Sequence, residues 1–270
     1  MVQKHVIPAS VAALLAATEL AAAQPQSQPT AAPDVQSGGF SLTTGLDYST
    51  GKYGETSSTD ILYVPLTGKY ETDNWVFKLT VPYIVVSGPG NVVRGIGVVK
   101  NKAAGPRRTE EGLGDIIAGV SRNLLDIAST GTLVDLTGNI KFGTADTKKG
   151  LGTGENDYAA QVDVTQRITS AVSAFGSVGY RIIGSPAGAQ LNNVVYAEGG
   201  GTLKLNDGLR LGAIFDTSQA PSSVSGTQAE LTAYLTQQLS ERWKLQVYGV
   251  HGFANGSPDW GGGAMTTFRF

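Results

Sequence analysis

The stretch Asp259-Trp260-Gly261-Gly262-Gly263-Ala264-Met265-Thr266-Thr267-Phe268-Arg269-Phe270 decides the fold, because it reads as a strand and no polar tail follows it. Taken with period two, Trp260, Ala264, Thr266, Phe268 and Phe270 fall on one face, while Met265, Thr267 and Arg269 fall on the other. A sheet in water would leave such a strand as an apolar, unpaired edge. A closed barrel in a membrane removes the edge, since its last strand pairs with its first and every backbone polar group finds a partner.

Composition permits that architecture. The chain has 270 residues with 36 Gly, no Cys, 16% charged residues and a net charge of -2, and its mean hydropathy is near zero. Beyond the N-terminus no apolar run approaches the roughly 18 residues of a membrane helix. Polar residues facing a lumen cancel apolar ones facing lipid, so near-zero hydropathy fits a membrane barrel. The near-neutral charge argues against nucleic acid, and the missing Cys removes disulfides and thiolate sites.

Lys4 and His5 precede an Ala/Leu/Val-rich run over 6–20, and Ala21-Ala22-Ala23 offers a small-residue cleavage site. Residues 1–23 therefore read as a signal peptide. Pro, Gln, Ser and Ala dominate 24–38, the composition of a disordered periplasmic lead-in. The remainder, 39–270, is expected to form the barrel.

Twelve strand-like runs follow: 40–50, 59–70, 75–87, 112–125, 131–144, 156–168, 171–184, 193–205, 209–218, 226–239, 243–252 and 259–270. The links between them alternate long and short to the end, with Asn206-Asp207-Gly208 the clearest tight turn. Outer-membrane barrels have short periplasmic turns and longer extracellular loops, so link length selects an all-β, antiparallel up-and-down transmembrane barrel over a soluble sandwich. Aromatics on the lipid parity gather at both ends as interfacial girdles: Phe40, Tyr70, Trp75, Trp243 and Phe270 near the turns, and Tyr48, Tyr83, Phe142, Tyr158, Phe215 and Trp260 near the loops.

Tyr48-Ser49-Thr50-Gly51-Lys52-Tyr53-Gly54, Tyr63-Val64-Pro65, the run from Trp75 through Val81-Pro82-Tyr83 to Gly88-Pro89-Gly90, and Gly112-Leu113-Gly114-Asp115 resemble the bacterial outer-membrane transporter family of the phenol-degradation meta-pathway. The closing strand ending in Phe270 also resembles that of bacterial outer-membrane proteins generally. The resemblance implies an outer-membrane barrel that passes small, aromatic or hydrophobic compounds, surrounded by lipid and lipopolysaccharide and recognised by the barrel-assembly machinery through its last strand. It carries no catalytic motif, cofactor or metal. Pro65 and Pro82 inside strands predict bulges or a broken ladder, since proline lacks the N–H.

Inward parity sorts the charges. Lys69, Lys78, Arg167, Lys204, Arg210, Lys244 and Arg269 gather at the turn end, with Asp135 as the exception. Asp47, Asp115, Glu198, Asp216 and Glu230 gather at the loop end, Asp163 lies nearer the middle, and Lys141 and Arg181 break the pattern. Tyr63, Phe175, Tyr196, Tyr234 and Tyr248 also point inward, either as a stacking path for aromatic solutes or as lumen packing. The link 88–111 is longer than a hairpin needs and carries Arg94 and Lys100 among valines. It reads either as a solvated or lipid-bound loop, or as an inward-folded gate with those two cations against the acidic loop-end ring.

Three functional readings follow from these residues. The first is a channel or transporter for small solutes, the second a closed structural or adhesive scaffold, and the third a lipid-modifying enzyme built on His251, the single histidine past the leader. Nothing marks a nucleophile for that histidine. Gly150-Leu151-Gly152-Thr153-Gly154 precedes no helical pattern, which disfavours a phosphate loop.

Overall fold

The computed structural model describes residues 38–98 and 106–270, and among these it contains β-strands and no helix. The segment expected as a signal peptide, most of the expected lead-in and Lys100 lie outside the described residues. In chain order the strands are β1 (Gly39–Gly51), β2 (Thr59–Glu71), β3 (Trp75–Gly88), β4 (Val92–Val93), β5 (Gly97–Val98), β6 (Arg108–Leu113), β7 (Ile116–Ile127), β8 (Thr132–Phe142), β9 (Asp157–Arg167), β10 (Val172–Ile182), β11 (Val194–Lys204), β12 (Leu209–Ser218), β13 (Gln228–Gln238), β14 (Trp243–Gly252) and β15 (Trp260–Arg269).

Sequential antiparallel pairing runs from β7 to β15 and then on to β1, β2 and β3, and β3 closes the ring by pairing with both β6 and β7. β6 and β7 together make one stave, so the barrel has twelve. The strand that opened the sequence argument seals it: Arg269 faces Ser41 and Trp260 faces Thr50 along an unbroken register. Strands of 10 to 14 residues, apart from the split stave, suffice to cross a bilayer when tilted.

Period two now has a physical face. Leu46, Leu66, Leu79, Leu136, Val162, Leu211 and Val247 stand exposed around the outside, and all eleven of the girdle aromatics named above are exposed with them. Water would not tolerate such a continuous apolar belt, whereas lipid requires it. Phe40 meets Phe270 with ring centroids 5.2 Å apart, and Trp243 meets Phe268 at 4.9 Å, stitching the seam at the turn end.

The expected fourth run needs correction. Its strand begins at Arg108, not Gly112, and is interrupted at Gly114-Asp115. Tyr83 faces Leu113 while Thr80 faces Ile117, so this stave carries one extra residue against β3 opposite Pro82. Pro82 has no N–H for the ladder, and its carbonyl is instead met by the Gly114 N–H at 2.9 Å. At Pro65 the β1–β2 ladder lapses between Thr44↔Leu66 and Asp47↔Tyr63, and the Thr44 hydroxyl donates to the Pro65 carbonyl at 2.8 Å. The link expected over 88–111 is correspondingly shorter, because Gly88 already pairs with Arg108.

Candidate functional site

The lumen is lined by the inward residue of each pair, and its loop-end half is packed rather than open. β4 and β5 form a small hairpin whose turn is made possible by Gly95 and Gly97, both at positive φ. This hairpin lies inside the barrel mouth. Val92 and Val98 join a buried cluster with Tyr53, Ile61, Tyr63, Ile84, Val86 and Leu151, while Ile96 packs with Ile183, Leu191 and Val194. Each fully buried Val or Ile contributes about 1.5–3 kcal/mol, so these three side chains hold the hairpin firmly.

Arg94 at the hairpin tip is 7% exposed. Its Nη2 donates to Asp47 Oδ1 at 2.9 Å, and its guanidinium lies 3.7 Å from the centre of the Tyr63 ring. The Tyr248 hydroxyl donates to the other Asp47 oxygen at 2.5 Å, which completes a buried carboxylate held from both sides. Arg181 reaches the hairpin as well, donating to the Gly95 carbonyl at 3.4 Å. Of the acidic ring expected against Arg94, Asp47 is the member that accepts this buried hydrogen bond.

Asp115 is committed elsewhere, to Lys141, whose Nζ lies 3.0 Å from it and 3.3 Å from Asp157. Asp115 also accepts the Ala145 N–H at 2.9 Å, which ties the loop over 143–156 to the wall. A cavity of about 20 Å³, roomy enough for one water, lies among Tyr63, Val93, Arg94, Asp115 and Lys141. Asp157, fully buried, was missed in the sequence. Its parity with Asp163 was readable, but it sits on the first residue of its strand, where face assignment is weakest.

Lower in the lumen, Asp163 accepts from Thr137 at 2.8 Å and from Gln161 at 2.6 Å, and Asp135 accepts from Asn123 at 2.9 Å. Glu198, Asp216 and Glu230 stand side by side on β11, β12 and β13, in direct register. Glu198 and Asp216 are half-buried and Glu230 is 0% exposed.

The inward aromatics lie on the wall. Tyr196 is directly opposite Gly179, Tyr234 opposite Gly212, Tyr248 opposite Gly263 and Phe175 opposite Gly200. A methyl group at any of these glycines would collide with the facing ring, so each ring occupies the space of the missing side chain. Their hydroxyls are anchored too, Tyr196 to Gln161 at 2.8 Å and Tyr234 with Thr202 at 2.5 Å. Tyr63 differs, having Arg94 over its face.

The basic residues at the turn end form a half-exposed rim. Lys69 pairs with Glu71 at 2.9 Å and Lys204 with Asp207 at 2.7 Å, while Arg167 is exposed. Lys78, Arg210, Lys244 and Arg269 are half-buried. Arg167 and Lys204 occupy the last residues of β9 and β11, at the turn-end mouth. Outside the barrel, His251 packs between Phe253 and Trp260, with ring centroids 4.8 and 4.2 Å away, and its Nδ1 lies 2.9 Å from the Asp259 carbonyl. The position a triad would give to a carboxylate is thus held by a backbone oxygen. Gly150 and Gly154 serve loop conformation at positive φ between β8 and β9, and no helix follows them.

No protein-family model and no curated protein matches the sequence. Solved structures do match the fold. The chain is similar to the COG4313 outer membrane channel from Pseudomonas putida F1, with a TM-score of 0.66 and 10% identity over 90% of this chain and 99% of that one. It is also similar to the KdgM porin, at a TM-score of 0.52 and 9% identity over 85% and 99% of the two chains. The NanC porin gives 0.51 and 10% over 85% and 99%. At these identities the likeness establishes a transmembrane barrel architecture shared with channel proteins.

Proposed function

We propose that this protein is an outer-membrane channel for small solutes in which the β4–β5 hairpin is the gate. The observation that carries this reading is that a piece of loop, the β4–β5 hairpin, is buried inside the barrel mouth. A barrel built only as a scaffold has no need of a loop hairpin packed into its mouth. The fold neighbours described as an outer membrane channel and as porins support the same class, and the sequence resemblance to the phenol meta-pathway transporters points to aromatic or hydrophobic compounds as cargo.

A disulfide tests the gate within one molecule. The chain has no Cys, and a Cβ on Gly97 would stand 3.4 Å from that of Ser225, close to disulfide spacing. Cysteine at Gly97 carries about 1–3 kcal/mol of backbone strain from its positive φ, which the bond tolerates if it forms. Gly97→Cys with Ser225→Cys, oxidised, should lower single-channel conductance in planar bilayers, and reduction should restore it. Equal currents in the two states would remove the gate, and no current from any form would favour the closed scaffold.

A further inference from the structure

The turn end of the lumen holds a polar group that the fold itself does not use. Ser41 lies on the inward parity of β1 and is 5% exposed, yet its hydroxyl has no hydrogen-bond partner among the described residues. Its direct cross-strand partners are Arg269 on β15 and Lys69 on β2, and Lys69 in turn faces Lys78 on β3. One level further into the barrel, Thr267, Thr43, Thr67 and Thr80 stand in the same order across the same four strands. Those threonines satisfy one another, Thr43 with Thr267 at 2.9 Å and Thr67 with Thr80 at 2.8 Å. Ser41 is placed differently, because the arginine and lysine beside it carry donors and no acceptor, so its proton has nowhere to go at its own level. Leaving a buried hydroxyl unpaired costs stability, and so does setting Lys69 directly opposite Lys78. Arg269 makes no side-chain hydrogen bond or ion pair among the described residues. It is half-buried, as are Lys69 and Lys78, so water and small solutes reach this level from the mouth.

Resting on the channel reading, we infer that Arg269, Ser41 and Lys69 form a binding site for the carboxylate of a small organic acid at the turn-end mouth of the lumen. Three donors from three neighbouring strands stand at one level, and opposed residues in such a sheet have Cβ atoms about 4.5–5.5 Å apart. The planar guanidinium of Arg269 is always charged and holds both oxygens of a carboxylate at once. The Ser41 hydroxyl gains in that anion the acceptor it lacks, and Lys69, with Lys78 behind it, supplies further positive charge. Glu71, 2.9 Å from the Lys69 ammonium, stands at the edge of the site and repels a second negative charge. That favours a monoanionic carboxylate over a phosphate dianion.

Calorimetric titration of the detergent-purified full chain at neutral pH and low salt decides it. Benzoate should bind at least tenfold more tightly than benzamide, its neutral isostere, and Arg269→Gln should weaken benzoate at least tenfold. Ser41→Ala should weaken it about tenfold, the loss of one hydrogen bond to a charged group. The same variant should not lower the unfolding midpoint in urea, because the fold gives that hydroxyl no partner. Equal affinity for benzoate and benzamide in the unaltered protein would overturn the site whether or not the variants fold. Unchanged benzoate affinity in Ser41→Ala would also overturn it, as would displacement of benzoate by inorganic phosphate at equal concentration, in favour of a phosphate group. Binding is read without current, so a protein that binds benzoate yet never conducts keeps the site and loses the channel. One that conducts without telling benzoate from benzamide keeps the channel and loses the site.

Discussion

Lys141 and Lys69 both point into the barrel, from opposite ends. Lys141, its side chain 2% exposed, is clamped between Asp115 and Asp157, while Lys69, 25% exposed, meets Glu71 two residues along its own strand. One is a structural tie between the wall and the stave that breaks at Gly114-Asp115. The other is a solvated rim charge. The difference lies in what covers them, since the loops fold over the first and water reaches the second. Charge in the loop-end half is therefore tied to architecture, whereas at the turn end it is solvated.

Substitutions should expose that contrast, beginning with the most costly. Lys141→Met keeps the stem but leaves Asp115 and Asp157 buried together without their cation, which should cost about 3–5 kcal/mol. Urea unfolding in detergent, followed by heat-modifiable gel migration, measures it, and a loss under 1 kcal/mol would mean the clamp is not structural. Gly212→Ala should cost about 1–3 kcal/mol by driving a methyl group into the Tyr234 ring. Combining it with Tyr234→Ala should give a loss smaller than the sum of the two single losses, because the collision is removed, and strict additivity would show that ring and glycine do not share that space. Lys69→Ala should change stability by less than about 1 kcal/mol. Its expected signature is electrical: reversal potentials in a salt gradient should move toward cations as the basic rim loses a charge.

The architecture was legible because period-two patterning and alternating link lengths are local properties of the chain. Leu231, Ala233 and Leu235 against Glu230, Thr232 and Tyr234 fix a face without knowledge of any neighbour. Arg94 as the cation of an inward-folded loop was one of two readings open from the same logic, since Val92, Val93, Ile96 and Val98 around it are apolar for a solvated loop. Cross-strand facts were not. That Tyr196 lies on Gly179, or that Asp115 prefers Lys141 to Arg94, depends on register between staves, which no single strand encodes. The break at Gly114 was missed because one extra residue shifts pairing without disturbing the hydrophobic pattern on either side.

Removing the hairpin tests the account most directly. In planar bilayers, a variant lacking 92–98 that still shows heat-modifiable migration should conduct several-fold more than the intact protein. Its selectivity should shift toward cations, because Asp47 and Glu230 lose the Arg94 charge. Conductance and ion preference unchanged by the deletion, in a correctly folded barrel, would contradict the claim that this hairpin closes the lumen.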